Sequence, residues 1–125
     1  MTGGRAQKRR RLSRSAEFER VYRQGRSKGN RYLVLYAFPR EGAAGEGPRL
    51  GLSVSRRVGG AVDRTRVKRA LREAFWEEAR RLPEGSDYVV VARPEALGLT
   101  EREGVAGMRA ALTELVDGLG GGAVS

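Results

Sequence analysis

The chain contains no cysteine and no histidine. The first absence excludes a disulfide scaffold, a thiolate metal site and a cysteine nucleophile. The second removes the commonest general base and metal ligand. Aromatic residues make up only 6% of the sequence, with a single tryptophan, and no apolar run approaches the roughly 18 residues that would cross a bilayer. The opening residues lack the apolar segment of a secretory signal, so a cytoplasmic location without membrane contact is expected. Neither a His-Glu-x-x-His pattern nor a phosphate-binding Gly-x-x-x-x-Gly-Lys-Ser/Thr loop occurs. The sequence therefore points to no catalytic residue and no metal site of its own.

What it has in excess is positive charge. The 125 residues carry 25 Lys and Arg against 15 Asp and Glu, a net charge of +10. A chain of this length suits one domain, and this charge suits a polyanionic partner, nucleic acid before membrane. The charge is also partitioned: residues 1–40 carry a net +10, 49–72 a net +7 and 73–125 a net −5. A basic front and an acidic back are expected of a protein that meets nucleic acid on one side and water on the other. Residues 1–12 read as a flexible basic arm, 13–119 as a single nucleic-acid-binding α+β domain, and 120–125 as a disordered tail.

Within the domain, Ser13 or Ser15 can cap a short helix with Phe18, Val21 and Tyr22 on one side and Gly25 at its end. Arg31–Phe38 reads as a strand with Tyr32, Val34, Tyr36 and Phe38 on one face and Leu33, Leu35 and Ala37 on the other. Pro39–Pro48 reads as a mobile hairpin connection. The next strand, Arg49–Arg56, turns Leu50, Leu52 and Val54 inward, and its small residues Gly51, Ser53 and Ser55 leave room for something to lie across the sheet. A turn at 83–85 and a buried strand at 87–93 follow. Thr100 to Glu103 forms a capping box opening a last helix, with Val105, Met108, Leu112, Leu115, Val116 and Leu119 at helical spacing and glycines from Gly118 onward to end it. The order predicts an α+β fold with helices packed on one face of a small sheet.

The most informative stretch is Val62–Trp76. At about 100° per residue, Val67, Ala70, Leu71, Ala74 and Phe75 gather on one side. Arg64, Arg66, Lys68, Arg69 and Arg72 spread over the other, with Trp76 near the cationic side. Asp63 is placed to cap the helix. Ordinary surface helices mix signs and use acid–base pairs four residues apart; here cations cluster close to a helix N-terminus, which costs roughly 0.3–1 kcal/mol each at exposed sites. An external polyanion resolves that conflict.

Residues 51–75, with Val-Gly-Gly-Ala-Val at 58–62 followed by Arg64-Thr-Arg-Val-Lys-Arg-Ala-Leu-Arg72, resemble the signature region of the bacterial ribonuclease P protein subunit. The likeness extends upstream through Arg11-Leu12, Phe18, Val21-Tyr22 and Gly25. One position departs: Thr65 stands where the family has Asn, and keeps a hydroxyl without the amide's paired donor and acceptor. The resemblance implies an α-β-β-β-α-β-α two-layer sandwich similar to a ribosomal-protein domain, with a left-handed crossover where the general rule favours the right-handed one. It implies an endoribonuclease holoenzyme in which a catalytic RNA subunit binds Mg²⁺ and removes the 5′ leader of precursor tRNA, with no small-molecule ligand on the protein. Arg64, Thr65, Arg66, Lys68, Arg69 and Arg72 would then contact the catalytic RNA. A cleft of Phe18, Tyr22 and Tyr36, with Arg11, Asn30, Arg31 and Arg56 nearby, would take the leader. The alternative is a ribosomal or other structural RNA-binding protein without a role in cleavage.

Overall fold

The computed structural model of the protein describes residues 10–12, 15–40, 45–83 and 85–124; the side chains of Arg10, Ser15 and all residues beyond Leu119 fall outside that description. Strand β1 (Arg10–Arg11) leads into helix α1 (Ser15–Gln24), then β2 (Arg26–Gly29), β3 (Leu33–Pro39), β4 (Arg49–Val54), α2 (Ala61–Glu78) with a 3₁₀ turn at Ala79–Arg81, β5 (Ser86–Ala92) and α3 (Glu95–Val124). The strands form one mixed sheet in the order β1-β4-β5-β3-β2, and the fold is α+β as expected.

The signature helix is the crossover. It leaves β4 and returns the chain to β5, the parallel neighbour, with Leu50 opposite Tyr88 and Leu52 opposite Val90. Because β5 inserts between β3 and β4, the segment from Pro39 to Pro48 is not the hairpin connection its small residues suggest. The hairpin lies one step earlier, between antiparallel β2 and β3. With β2 the chain has the three strands before the signature helix that the family resemblance implies; the residues alone do not mark it, because all four are exposed and it lacks the apolar alternation of a half-buried strand.

The sheet has two unlike faces. Leu33, Leu35, Leu50, Val54, Tyr88 and Val90 pack against Val67, Leu71 and Phe75 of α2 and Met108, Leu112 and Leu115 of α3 in the main core. The expectation that helices share one face holds for α2 and α3, but α1 covers the other, where Val21 meets Leu12 and Val89 in a small cluster flanked by Phe18, Tyr36, Phe38 and Val91. Gly25 ends α1 as expected: its N–H donates to the Val21 carbonyl at 2.9 Å, and a Cβ there would stand 2.5 Å from the Ala37 carbonyl oxygen.

Other local expectations change. Arg10 and Arg11 pair with Arg49 and Leu50 and Leu12 is buried, so the chain is anchored by Arg10; residues 1–9 of the expected arm lie outside the described residues. Ser13 also lies outside them, and Ser15 is the first residue of α1. Helix α2 starts at Ala61 with Gly60 as its N-cap and no side-chain cap. Asp63 is thus the third helical residue, favourable to the dipole and packed against Gly59. Helix α3 begins at Glu95, just after Pro94, where proline suits a helix entry. Thr100 does not open it: its hydroxyl donates to the Ala96 carbonyl within the helix at 2.8 Å. The break falls at Gly104, with φ 63°, and helical backbone continues through the terminal glycines to Val124.

Candidate nucleic-acid interface

Helix α2 buries the predicted stripe of Val67, Ala70, Leu71, Ala74 and Phe75, which fixes its rotation and drives the cations outward. They form a crest with two flanks. Thr65, Arg66 and Arg69 slope toward α3 and line a groove of about 660 Å³. Lys68 and Arg72 slope toward the open end of β4 and line a second groove, of about 380 Å³, whose far wall holds Arg11 and Phe18. Among the described residues no ion pair engages Arg64, Lys68, Arg69 or Arg72; only Arg66 has a carboxylate, Glu101 of α3, at 3.4 Å.

Trp76 does not stand exposed on this cationic side. It is only 9% exposed, meets Phe75 edge-on with ring centroids 4.9 Å apart, and lines the groove beside Lys68 and Arg72. The indole sits at the boundary of the stripe, and folding it back onto core removes far more apolar area from water than leaving it outward.

On the opposite face of the sheet, α1 covers part of the strands and leaves the rest open. Register places Gly51, Val89, Tyr36 and Ser27 in one row across the sheet, and Ser53, Val91, Val34 and Gly29 in the next. Phe18 lies over the first row so closely that a Cβ on Gly51 would meet its ring at 2.6 Å. The room left by Gly51 is thus filled by the protein itself. Tyr36 meets Tyr22 edge-on at 4.9 Å, and Tyr22 meets Phe18 at 6.4 Å, so the three predicted rings form one chain. Tyr22 is 38% exposed and its neighbours are half-buried. The second row, with Ser53, Val91 and Val34 all partly exposed, lies open beside these rings on the same face.

Two predicted members of that cleft are placed otherwise. Asn30 is committed to structure: its amide nitrogen donates to the Ala111 carbonyl at 2.9 Å and to Glu114 Oε1 at 2.8 Å, while its oxygen accepts from the backbone N–H groups of Tyr32 and Leu33. It locks the β2–β3 turn to α3 and offers nothing to a ligand. Arg31 stacks over Tyr32 at 5.8 Å, and Tyr32 packs against the main core, not the cleft. Arg56 is exposed just beyond β4, whose end pairs with Ala92, next to Arg93.

Arg93, which the sequence analysis did not single out, stands beside this open row. Its guanidinium lies about where a Cβ on Gly29 would meet it, at 3.2 Å, at the end of the row. The signal was present: positions 89, 91 and 93 share one parity, so a face that carries Val89 and Val91 toward α1 carries Arg93 the same way.

The remaining ionic groups hold the body together. Asp87, 1% exposed, receives Arg49 through two 2.8 Å bonds and lies 2.8 Å from Arg40 Nε. Arg49 also reaches Glu17 of α1 at 3.0 Å, and its pKa is raised above the ordinary arginine value, chiefly by the hydrogen bonds to Asp87. Buried Glu78 accepts from Arg81 and Arg109, and Arg81 reaches on to Asp117 of α3. Among the described residues no group of three acidic side chains is placed to hold a metal ion, and no helix is long and apolar enough to cross a membrane.

Residues 6–116 match the family model described as Ribonuclease P. The ribonuclease P protein component of Shouchella clausii is 47% identical over 77% of this chain and 77% of its own length, and that of Bacillus pumilus is 43% identical over 77% and 79%. The solved ribonuclease P protein of Staphylococcus aureus superposes with a TM-score of 0.75 at 32% identity, covering 88% of this chain and 94% of that one. A mutant of that protein with defective mRNA degradation activity superposes at 0.71 and 33% identity, over 82% and 85%. The chain belongs to the ribonuclease P protein family.

Proposed function

We propose that the chain works as the protein subunit of ribonuclease P by holding two polyanions together. The observation that carries this reading is the pairing pattern. Among the described residues most of the α2 cations lack a carboxylate partner, while Arg49 at the start of β4 and the arginines around Glu78 are matched to acids. Arg64, Thr65, Arg66, Lys68, Arg69 and Arg72 contact phosphates of the catalytic RNA, each contact to a duplex adding roughly 0.9 to the salt slope of binding. Screening by the same charges lowers the cost of bringing precursor tRNA alongside.

The single-stranded 5′ leader lies across the open row of the sheet, with bases against Tyr22, Tyr36 and Phe18 and phosphates near Arg11, Arg56 and Arg93. Stacking of this kind is tolerant of sequence, which suits a leader that differs between transcripts. The groove shared by Arg11, Phe18, Lys68 and Arg72 joins the cleft to the crest, so one RNA can pass from one to the other. Mg²⁺ bound by the RNA subunit supplies the hydrolytic chemistry, and the complex works in the cytoplasm. The described domain carries both surfaces, with residues 1–9 adding basic charge.

Reconstitution tests this directly. Adding the protein to bacterial catalytic RNA at low Mg²⁺ should raise precursor-tRNA processing; no gain points instead to a structural RNA-binding protein. The Staphylococcus relative motivates a second arm, in which the protein stripped of RNA with micrococcal nuclease is incubated with mRNA. Cleavage there would make the chain a nuclease in its own right. Tyr36→Ala should weaken leader-bearing substrate by about tenfold relative to mature tRNA, the loss of one stacked base; equal losses for both ligands count against the cleft.

A further inference from the structure

The two flanks of the α2 crest differ in chemistry. On the β4 side the charged groups lining the groove are Arg11, Lys68 and Arg72. On the α3 side Arg66 and Arg69 are accompanied by the carboxylate of Glu73 in the lining, and Glu101 meets Arg66 from across at 3.4 Å. A groove meant for phosphates alone would not carry one carboxylate in its lining and have a second paired to its arginine, because negative charges repel a polyanion.

Apart from Thr65 and Thr100, the rest of this groove is apolar. Ala70 and Val105 lie within it, and at its mouth stands Val62, 75% exposed and the most exposed large apolar side chain among the described residues. Its α3 wall is the break at Gly104. There the positive φ of 63° excludes ordinary side chains, and nothing lies within 4 Å of where a Cβ would stand. The break keeps that wall bare. The resulting volume, about 660 Å³, is within the range of roughly 300–1,000 Å³ in which proteins bind small ligands.

The geometry points to an unstacked nucleobase, one bearing an exocyclic amino group, swung out of the catalytic RNA into this groove. The assignment rests on the reading that the crest binds that RNA. Each wall has a part in it. Val62 and Val105 take the apolar face of the base. The guanidinium planes of Arg66 and Arg69 are surfaces on which splayed bases stack. The Glu73 carboxylate accepts from the amino group, as acidic side chains do from cytosine N4; uracil, with carbonyls in those positions, would be repelled. The strand's phosphates stay on the crest, so the base is the part that distinguishes this site from a sequence-blind charge contact.

The absence of cysteine gives the test its handle. Val62→Cys, labelled with a photoactivatable aryl azide and assembled with full-length catalytic RNA, should cross-link to one or two adjacent unpaired nucleotides that are not uridine. Val62→Ser should weaken binding of that RNA by about fivefold, the worth of the apolar contact, with an unchanged salt slope. Because Val62 is exposed, its thermal unfolding should match the parent, which separates this loss from misfolding. Glu73→Gln should weaken binding to the same RNA and restore affinity when the cross-linked nucleotide is replaced by uridine. Arg72→Ala, outside the groove, serves as the measure of the crest: it should lose affinity and salt slope together. If Arg72→Ala behaves so while Val62→Ser binds like the parent, or the cross-links scatter over paired RNA, the base site is wrong and the crest stands. If Arg72→Ala changes nothing, the crest reading fails and the groove assignment falls with it.

Discussion

Arg49 and Arg72 carry the same guanidinium and meet opposite surroundings. Arg49 emerges from the start of β4 into a buried carboxylate, Asp87, and a second one, Glu17, that belongs to α1. Arg72 emerges exposed from the middle of α2 at the edge of a groove, with no ion pair among the described residues. The difference shows how one residue type serves two ends in a chain of net charge +10. A cation surrounded by acids spends its field inside the protein, where it ties β4, β5 and α1 together. A cation left alone projects its field outward, and a row of them attracts a polyanion at range. Stability and RNA affinity should therefore respond to different arginines.

The largest effect should come from Arg49→Met. Removing one partner of a buried pair leaves the other charge uncompensated, at a cost of about 3 kcal/mol, because Asp87 would keep only Arg40. Urea denaturation should show this loss, while affinity of the folded protein for catalytic RNA stays within about twofold, as for distant independent sites. A loss of RNA affinity without a loss of stability would erase the distinction. The same buried region should also respond to alkali. Burial pushes the Tyr88 phenol from the ordinary 10.0 up to about 12, with Ser86 and Arg26 pulling the other way. A folded pKa above the unfolded one means that the neutral phenol's contribution is complete below pH 10 and is lost as pH rises through 12, up to about 2–3 kcal/mol in all. In Tyr88→Phe, urea midpoints measured on either side of pH 10 should diverge less than in the parent.

How much of this was legible beforehand depended on whether the signal was local. The apolar stripe of α2 could be read because helical periodicity is set by near neighbours, and every one of Val67, Ala70, Leu71, Ala74 and Phe75 is buried. The two-faced alternation of β3 was legible for the same reason, with Leu33 and Leu35 in one cluster and Tyr36 and Phe38 in the other. The order of strands was not, since the insertion of β5 between β3 and β4 is decided by pairing between residues some fifty positions apart, such as Tyr36 with Val89. Strand β2 could be expected from the family resemblance but not from its own residues, because exposed Arg26–Gly29 has no apolar pattern at all. Within the candidate site, the three rings were legible from residue type and resemblance. Asn30 was misassigned because an amide that could bind a ligand is equally able to tie a turn to a helix, and only the tertiary positions of Ala111 and Glu114 decide which. Trp76 does lie beside the cations Lys68 and Arg72, but its burial was not legible, because helical projection ignores how a large side chain leans back along its helix.

Smaller effects sharpen the contrast at the surface. Arg72→Ala should leave the urea midpoint nearly unchanged and weaken catalytic-RNA binding by about tenfold, the loss of one charge-assisted contact, with the salt slope falling by about 0.9. Arg23 on α1 is the case that separates pairing from burial. It holds Glu19 at 3.2 Å one turn away, yet the two side chains are 75% and 68% exposed. Exposed pairs of this spacing are worth only about 0.3–0.5 kcal/mol, so Arg23→Ala should barely move the unfolding midpoint. Its field is partly cancelled by Glu19, so the salt slope for catalytic RNA should also hold. If instead the slope falls as far as it does for Arg72→Ala, a neighbouring carboxylate does not withdraw a surface arginine from RNA, and position along the fold, not pairing, decides which cations bind.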